Sequence, residues 1–135
     1  MKSVVFSDIT ELIAFPNDLV FFLPKTTRPR NLPRVEHPRI KRFWHTGVVF
    51  QGKVYETFNF EKFSIGELPF RGKELLSQRA VFCEVHILDE RLENELKSGT
   101  SCDEFVLRVT GHSQRTGNDK GDKFPDDVYN LICSA

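Results

Sequence analysis

The sequence predicts an α+β fold in which an antiparallel sheet packs against a helix that begins with a cysteine. Two strand-like runs, 44–50 and 53–58, flank a Gln-Gly dipeptide, a pattern typical of a hairpin with a two-residue turn. Further along, apolar residues recur at helix spacing directly after Cys102. The 135 residues fit one domain, 1–135, large enough to bury a core without disulfide or metal staples.

The first half of the chain reads as a short helix followed by strands. Residues 7–14 form a helix capped by Ser7 or Asp8, and 19–23 form a strand entered from an Asn-Asp turn. Four prolines argue against regular structure in 24–42, which we predict to be a loop. The hairpin strands come next.

The second half is predicted to be mainly helical after one more strand. Alternating apolar residues predict a strand over 80–88, and Leu92 with Leu96 predicts a helix over 89–98 that ends at Gly99. The helix after Cys102 runs to residue 110 and ends at Gly111. The polar segment 112–123 is a loop, and 125–132 is a final helix that opens on Pro-Asp-Asp.

Cys102 lies at the predicted start of its helix, where Thr100 or Ser101 provides the cap. Unpaired backbone N–H groups and the helix dipole favour an anion in this first turn, and helix N-termini lower the pKa of a thiol. A nucleophilic cysteine reacts as its thiolate, so Cys102 is the candidate nucleophile. The alternative is a small apolar core residue, the usual role of a free cysteine.

The hairpin brings a histidine and a carboxylate to one face of the sheet. If Gln51 and Gly52 form the turn, Gly47 lies opposite Glu56, and His45 is a diagonal neighbour of Glu56. A slip of one residue in register would send Glu56 to the other face. Asn59 takes the third position instead if the hairpin contains a longer loop or a bulge.

Cysteine, histidine and carboxylate together form a thiol-nucleophile site. In such a site His45 takes the proton of the Cys102 thiol, and Glu56 orients the imidazole ring. His37, His86 and His112 lack a comparable setting.

Four short segments follow one another in an order that resembles a known family: Asp18-Leu-Val-Phe-Phe, His45-Thr-Gly-Val-Val-Phe, Gly52-Lys-Val-Tyr-Glu and Cys102-Asp-Glu-Phe-Val. They resemble the NlpC-like branch of the papain-like superfamily. Because histidine precedes cysteine, the order is similar to the circularly permuted members, the lecithin:retinol acyltransferase relatives and YiiX-like bacterial proteins. The tail segment beginning Phe124-Pro-Asp-Asp also resembles YiiX-like chains.

The resemblance spans roughly Pro16 to Leu131 and implies a permuted papain-like fold. It implies a cysteine hydrolase or acyltransferase acting on an amide or ester bond of a peptide, a peptidoglycan fragment or a lipid. Two positions depart from the family: Ser101 stands where Asn or Tyr precedes the cysteine, and Glu56 stands where many relatives carry His. The alternative is an inactive binding or inhibitory module with the same fold, for instance between a phage and its host.

Composition limits the other function classes. The formal net charge is zero, so charge does not point to nucleic acid or to a membrane surface. No run is long enough for a signal peptide or a membrane span. The three cysteines show neither a disulfide framework nor metal-ligand spacing, with Cys83 read as core and Cys133 as incidental. We therefore expect a cytoplasmic protein with no cofactor and no metal, of undetermined oligomeric state.

A basic segment precedes His45. Residues 25–42 carry seven Lys and Arg against one Glu. We expect Arg28, Arg30 and Arg34 to border the site and to attract an anionic substrate. The alternative is a solvated surface segment.

Overall fold

The computed structural model describes residues 3–25, 42–58, 62–99, 101–112 and 125–133. Within these residues the elements follow in the order β1 (Ser3–Val4), α1 (Ile9–Ala14), β2 (Leu19–Pro24), β3 (Phe43–Phe50), β4 (Lys53–Thr57), β5 (Phe63–Glu67), α2 (Leu68–Ser77), β6 (Val81–Glu84), α3 (Asp89–Lys97), α4 (Cys102–Val109) and α5 (Pro125–Ile132).

The strands form one sheet with the order β1-β6-β2-β3-β4-β5, and every neighbouring pair is antiparallel. The predicted α+β class with an antiparallel sheet is therefore confirmed. Strands β3 and β4 lie in the interior of the sheet, so both flanks of the predicted hairpin are paired. Among the described residues, no helix is both long and apolar enough to cross a membrane.

The hairpin has the predicted register. Phe50 pairs with Lys53 across a turn formed by Gln51 and Gly52, whose φ angles are +48° and +80°. Positive φ at both turn positions matches the right-handed twist of the flanking strands. The turn thereby fixes which β4 side chains share a face with His45.

Helices cover both faces of the sheet. On one face α3, α4 and α5 pack on the sheet through an apolar cluster that includes Leu92, Leu96, Phe105, Val106, Val109, Val128, Ile132, Phe22, Val48 and Phe50. On the other face α1 and α2 pack through Leu12, Leu68, Leu75, Leu19, Phe21, Leu23, Val49 and Val54. Buried side chains on both faces explain why β2 is a continuous apolar run rather than an alternating one.

The cysteine helix forms for the predicted reasons. The Ser101 hydroxyl accepts a hydrogen bond from the Glu104 backbone N–H and so caps α4. The apolar residues at 105, 106 and 109 are buried, and the chain turns away at Gly111, whose φ is +84°. Cys102 is the first residue of the helix, as predicted.

Four elements differ from the prediction. The strand predicted over 80–88 ends at Glu84, and the chain that follows is held by Asp18. Its carbonyl accepts from the Val85 N–H, and its carboxylate accepts from the Ile87 N–H. Strands β1 and β5 and helix α2 were not predicted, although Pro69 in the first turn and the seven-residue spacing of Leu68 and Leu75 are helix signals for α2.

The expected absence of disulfides is wrong. Cys83 of β6 is bonded to Cys133, which follows α5, with their Cα atoms 6.1 Å apart. The two are 50 residues apart, so no sequence spacing reveals the pairing, which depends on α5 packing against the sheet. Disulfides persist mainly in oxidising compartments. The prediction of a cytoplasmic location assumed free cysteines, and that premise fails for two of the three.

Replacing Cys133 by Ser is expected to lower the free energy of unfolding by about 2–4 kcal/mol, because the bond constrains a long loop in the unfolded chain. Urea unfolding of parent and variant, with and without reductant, measures this difference.

Alkylation of the urea-unfolded parent without reductant should modify Cys102 alone, since it is the free cysteine. Three modified cysteines in that sample would rule out the bond.

Candidate active site

His45 and Glu56 meet in the buried interior of the sheet face covered by α2. The Nε2 atom of His45 lies 2.8 Å from Oε1 of Glu56, and the two residues are 2% and 1% exposed. The predicted His45–Glu56 contact is therefore present, and the register of the hairpin places it there. Asn59, the alternative partner, lies outside the described residues.

Aromatic rings hold the His45 imidazole in one plane. The Phe58 ring stacks on it with centroids 5.0 Å apart and planes 5° apart. The neighbouring Trp44 ring stacks at 5.2 Å, and the Phe21 ring approaches edge-on at 6.0 Å. A side chain fixed by packing on several sides keeps its hydrogen-bond geometry, which suits an orienting site.

Arg71 is the site residue that sequence reasoning missed. Its Nε–H donates to Glu56 Oε2 and its Nη2–H donates to Glu56 Oε1, both at 2.8 Å. Its third donor group, Nη1–H, bonds Glu74 at 2.9 Å. The bidentate geometry is the strong form of an arginine–carboxylate pair. Arg71 lies on α2, and without that helix the sequence offered no reason to place it near the hairpin.

Opposing effects set the charge of Glu56. Burial alone would raise the pKa of this carboxyl, but hydrogen bonds from His45 and Arg71, and then the charge of Arg71, outweigh burial and lower the pKa below its ordinary value. Glu56 is therefore an anion at neutral pH. An anionic Glu56 accepts a hydrogen bond from His45 Nε2–H and so selects that ring tautomer.

Cys102 lies beside β3 and is partly buried. Its sulfur accepts a hydrogen bond from the backbone N–H of Thr46, the residue that follows His45. Its thiol donates to Oδ1 of Asp103 at 3.5 Å rather than to the His45 ring. The structure thus brings the cysteine helix to the histidine strand, with the thiol proton directed at a carboxylate.

Side-chain direction explains why the thiol does not bond His45. Strand residues alternate between faces, and His45 pairs with Leu23, whose side chain packs on the α1–α2 side. Helix α4 packs on the opposite side. Cys102 therefore reaches the main chain of β3 at Thr46, while the imidazole is directed at Glu56 and Arg71.

The protonation of Cys102 is opposite to the sequence-based expectation. Burial, and then the negative charge of Asp103, raise the pKa of the Cys102 thiol to about 12, despite the N–H donated by Thr46. Burial also raises the pKa of Asp103 to about 7, with further upward contributions from the charges of Asp127 and Glu104. The resting thiol is neutral because it is buried and because the next residue is an acid, and neither effect is visible in the helix-start pattern.

The basic segment meets the described chain at its two ends. The Lys25 N–H donates to the Arg42 carbonyl at 2.9 Å, and Arg42 lies three residues before His45. Arg28, Arg30 and Arg34 lie outside the described residues. Within the described part of the chain, no cluster of three or more His, Cys, Asp or Glu side chains is arranged to hold a metal ion.

Comparison with known proteins adds no further constraint. No protein-family model, curated protein or solved structure matches this chain significantly.

Replacing Asp103 by Asn is expected to move the alkylation profile of Cys102 to lower pH by about one unit or more, because it removes the negative charge beside the sulfur. The rate of iodoacetamide modification, measured from pH 6 to pH 11, reports the fraction of thiolate. Glu104→Gln is the matched control, since it removes a charge from the same helical turn while its carboxylate bonds Arg108 instead of the thiol. A profile unchanged in Asp103→Asn would show that Asp103 does not control the thiol.

Proposed function

We propose that this protein is a cysteine hydrolase or acyltransferase that acts on amide or ester bonds through Cys102, His45 and Glu56. The observation that carries the proposal is the buried His45–Glu56 hydrogen bond beside a helix that starts with a cysteine. A histidine oriented by a carboxylate is the arrangement that activates a thiol. We further propose the circularly permuted papain-like fold, because histidine strand, carboxylate strand and cysteine helix follow in that order.

The reaction begins with a proton transfer. Nε2–H of His45 is held by Glu56, so the unprotonated Nδ1 is the nitrogen that accepts the thiol proton of Cys102. Because the resting thiol is neutral, nucleophilic attack requires this transfer at the moment of reaction rather than a thiolate present beforehand. In the structure the thiol bonds Asp103, and the imidazole lies on the other face of β3, so this step requires a rearrangement that brings Nδ1 to the sulfur.

The sulfur then attacks the carbonyl carbon of the substrate and forms a tetrahedral oxyanion. The backbone N–H of Cys102, which has no intrahelical partner at the first position of α4, is a donor for this oxyanion. Collapse forms a thioester and expels an amine or alcohol, which takes the proton from His45. Water or another acceptor next gives its proton to His45 and attacks the thioester carbonyl. The S–C bond breaks, the acid or acylated acceptor leaves, and the sulfur takes the proton back from His45.

A second candidate is a binding or inhibitory module that has the fold without turnover. Two observations favour it: the Cys102 thiol bonds Asp103 instead of His45, and Ser101 caps the helix instead of supplying an amide side chain to the oxyanion. Such a module would use the same surface to hold a partner. It would form no thioester.

Labelling with an electrophilic thiol probe, such as a peptide vinyl sulfone or a fatty-acyl chloromethyl ketone, separates the two candidates. A hydrolase should be modified at Cys102, and His45→Ala should lower the labelling rate about 100-fold or more, the usual contribution of a general base. Glu56→Gln should lower it less, because an orienting group does not itself take the proton. Intact mass and peptide mapping identify the modified residue.

His86→Ala is the matched control for loss of an imidazole, because His86 is exposed on the segment after β6. Circular dichroism establishes that each variant is folded. Labelling of Cys102 at equal rates in the parent, His45→Ala and His86→Ala would reject the hydrolase and favour the binding module.

The basic segment is proposed to capture an anionic substrate. Changing Arg28, Arg30 and Arg34 together to Gln should raise KM several-fold and flatten its salt dependence while kcat stays within about twofold, because long-range attraction acts on binding and not on chemistry. A control variant neutralises three exposed basic residues elsewhere: Lys73, Arg79 and Lys97. Equal KM values for the two triple variants would indicate that the basic segment is a solvated surface that does not bind substrate.

A further inference from the structure

We infer that Arg71 is a positioning residue that keeps Glu56 anionic and leaves His45 neutral, ready to accept a proton. This inference rests on the proposed function, since it assigns a part in the same reaction. It extends the predicted group of three residues by a fourth, on an element outside the hairpin.

The hydrogen bonds of the buried carboxylate show how Arg71 acts. Oε1 of Glu56 accepts from both His45 and Arg71, and Oε2 accepts from Arg71 alone. The guanidinium therefore fixes the carboxylate plane with two parallel bonds, and the remaining direction at Oε1 points to the imidazole. His45 has one hydrogen-bond partner in this network, whereas Glu56 has two.

The buried Glu56 carboxylate needs a positive charge beside it. An anion that is 1% exposed needs a counter-cation, because an unpaired buried charge is strongly unfavourable. Arg71 supplies that cation permanently, since guanidinium does not deprotonate in proteins. Without Arg71 the positive charge would have to come from a proton held by the His45–Glu56 pair, and a protonated imidazole does not act as a base.

The position of Arg71 is set by close packing of α2. Leu68 and Leu75 of this helix are buried, and the Leu68 N–H bonds the Gly52 carbonyl of the hairpin turn at 3.0 Å. A Cβ on Gly72 would lie 2.8 Å from Ile9 of α1, so α1 and α2 are in direct contact there. Helix α2 is thus attached both to α1 and to the hairpin that carries Glu56.

Other charged groups near the network are few among the described residues. Glu74 on α2 bonds the remaining Arg71 donor but is well exposed to solvent. On the side of α4 and α5, the titratable groups beside β3 include the neutral Cys102 thiol at Thr46, Asp103, and Asp126, whose carboxylate accepts from the backbone N–H groups of Arg42 and Phe43. Arg71 is therefore the permanent cation in hydrogen-bond contact with the buried carboxylate.

The test compares Arg71→Met, which removes the charge, with Arg71→Lys, which keeps the charge and loses the bidentate fork. Lys53→Met is the matched control, because Lys53 forms an exposed ion pair with Glu67 at the other end of β4. NMR titration of the His45 ring follows proton uptake by the His45–Glu56 pair without requiring activity. The pH profile of Cys102 probe labelling is recorded for the same proteins.

In Arg71→Met, the pair should take up its proton at a pH about one unit or more higher than in the parent, and the acid limb of the labelling profile should move with it. Arg71→Lys should restore the titration while labelling stays slower, because a lysine does not fix the carboxylate plane.

A His45 titration unchanged in Arg71→Met and Arg71→Lys would overturn the inference. Should Arg71→Met fail to fold, an unchanged titration and labelling rate in Arg71→Lys would overturn it equally. Absence of labelling in every protein, with the titration shifted, would instead reject the proposed function and leave the role of Arg71 standing.

Discussion

A carboxylate buried between a sheet and a helix is the constraint on which the candidate site depends. Glu56 is stable in its apolar surroundings only as part of a network that supplies it with three hydrogen bonds and a compensating positive charge. Meeting that requirement depends on the register of β3 against β4, which the turn sets, and on the placement of α2 on the hairpin. The orientation of the His45 ring then follows from where Glu56 is held.

The same residues show what the sequence was able to reveal. The hairpin, the helix caps and the His45–Glu56 contact depend on local spacing and turn chemistry, and they were predicted with the register observed. Arg71 and the Cys83–Cys133 bond depend on how distant elements pack, which no local pattern encodes. The charge state of Cys102 was also missed, because burial of the thiol and the negative charge of Asp103 outweigh the donors at the helix start.

The two parts of the candidate site therefore differ. His45 and Glu56 are hydrogen-bonded to each other, and the Phe58 ring stacks on the imidazole. The Cys102 thiol donates to Asp103 and lies on the opposite face of the sheet from the imidazole. A neutral, partly buried thiol is protected from indiscriminate oxidation and alkylation, because both require the thiolate.

The bond between Cys83 and Cys133 closes a covalent ring that contains α3, α4 and α5, the whole helical layer on one side of the sheet. A single break of the main chain anywhere between these two cysteines opens the ring without separating the pieces. The cysteine helix would then remain attached to the sheet through the backbone to β6 if the break follows the helix, or through the Cys83–Cys133 bond if the break precedes it. Proteolytic nicking in this region therefore leaves the candidate site on one covalently connected molecule.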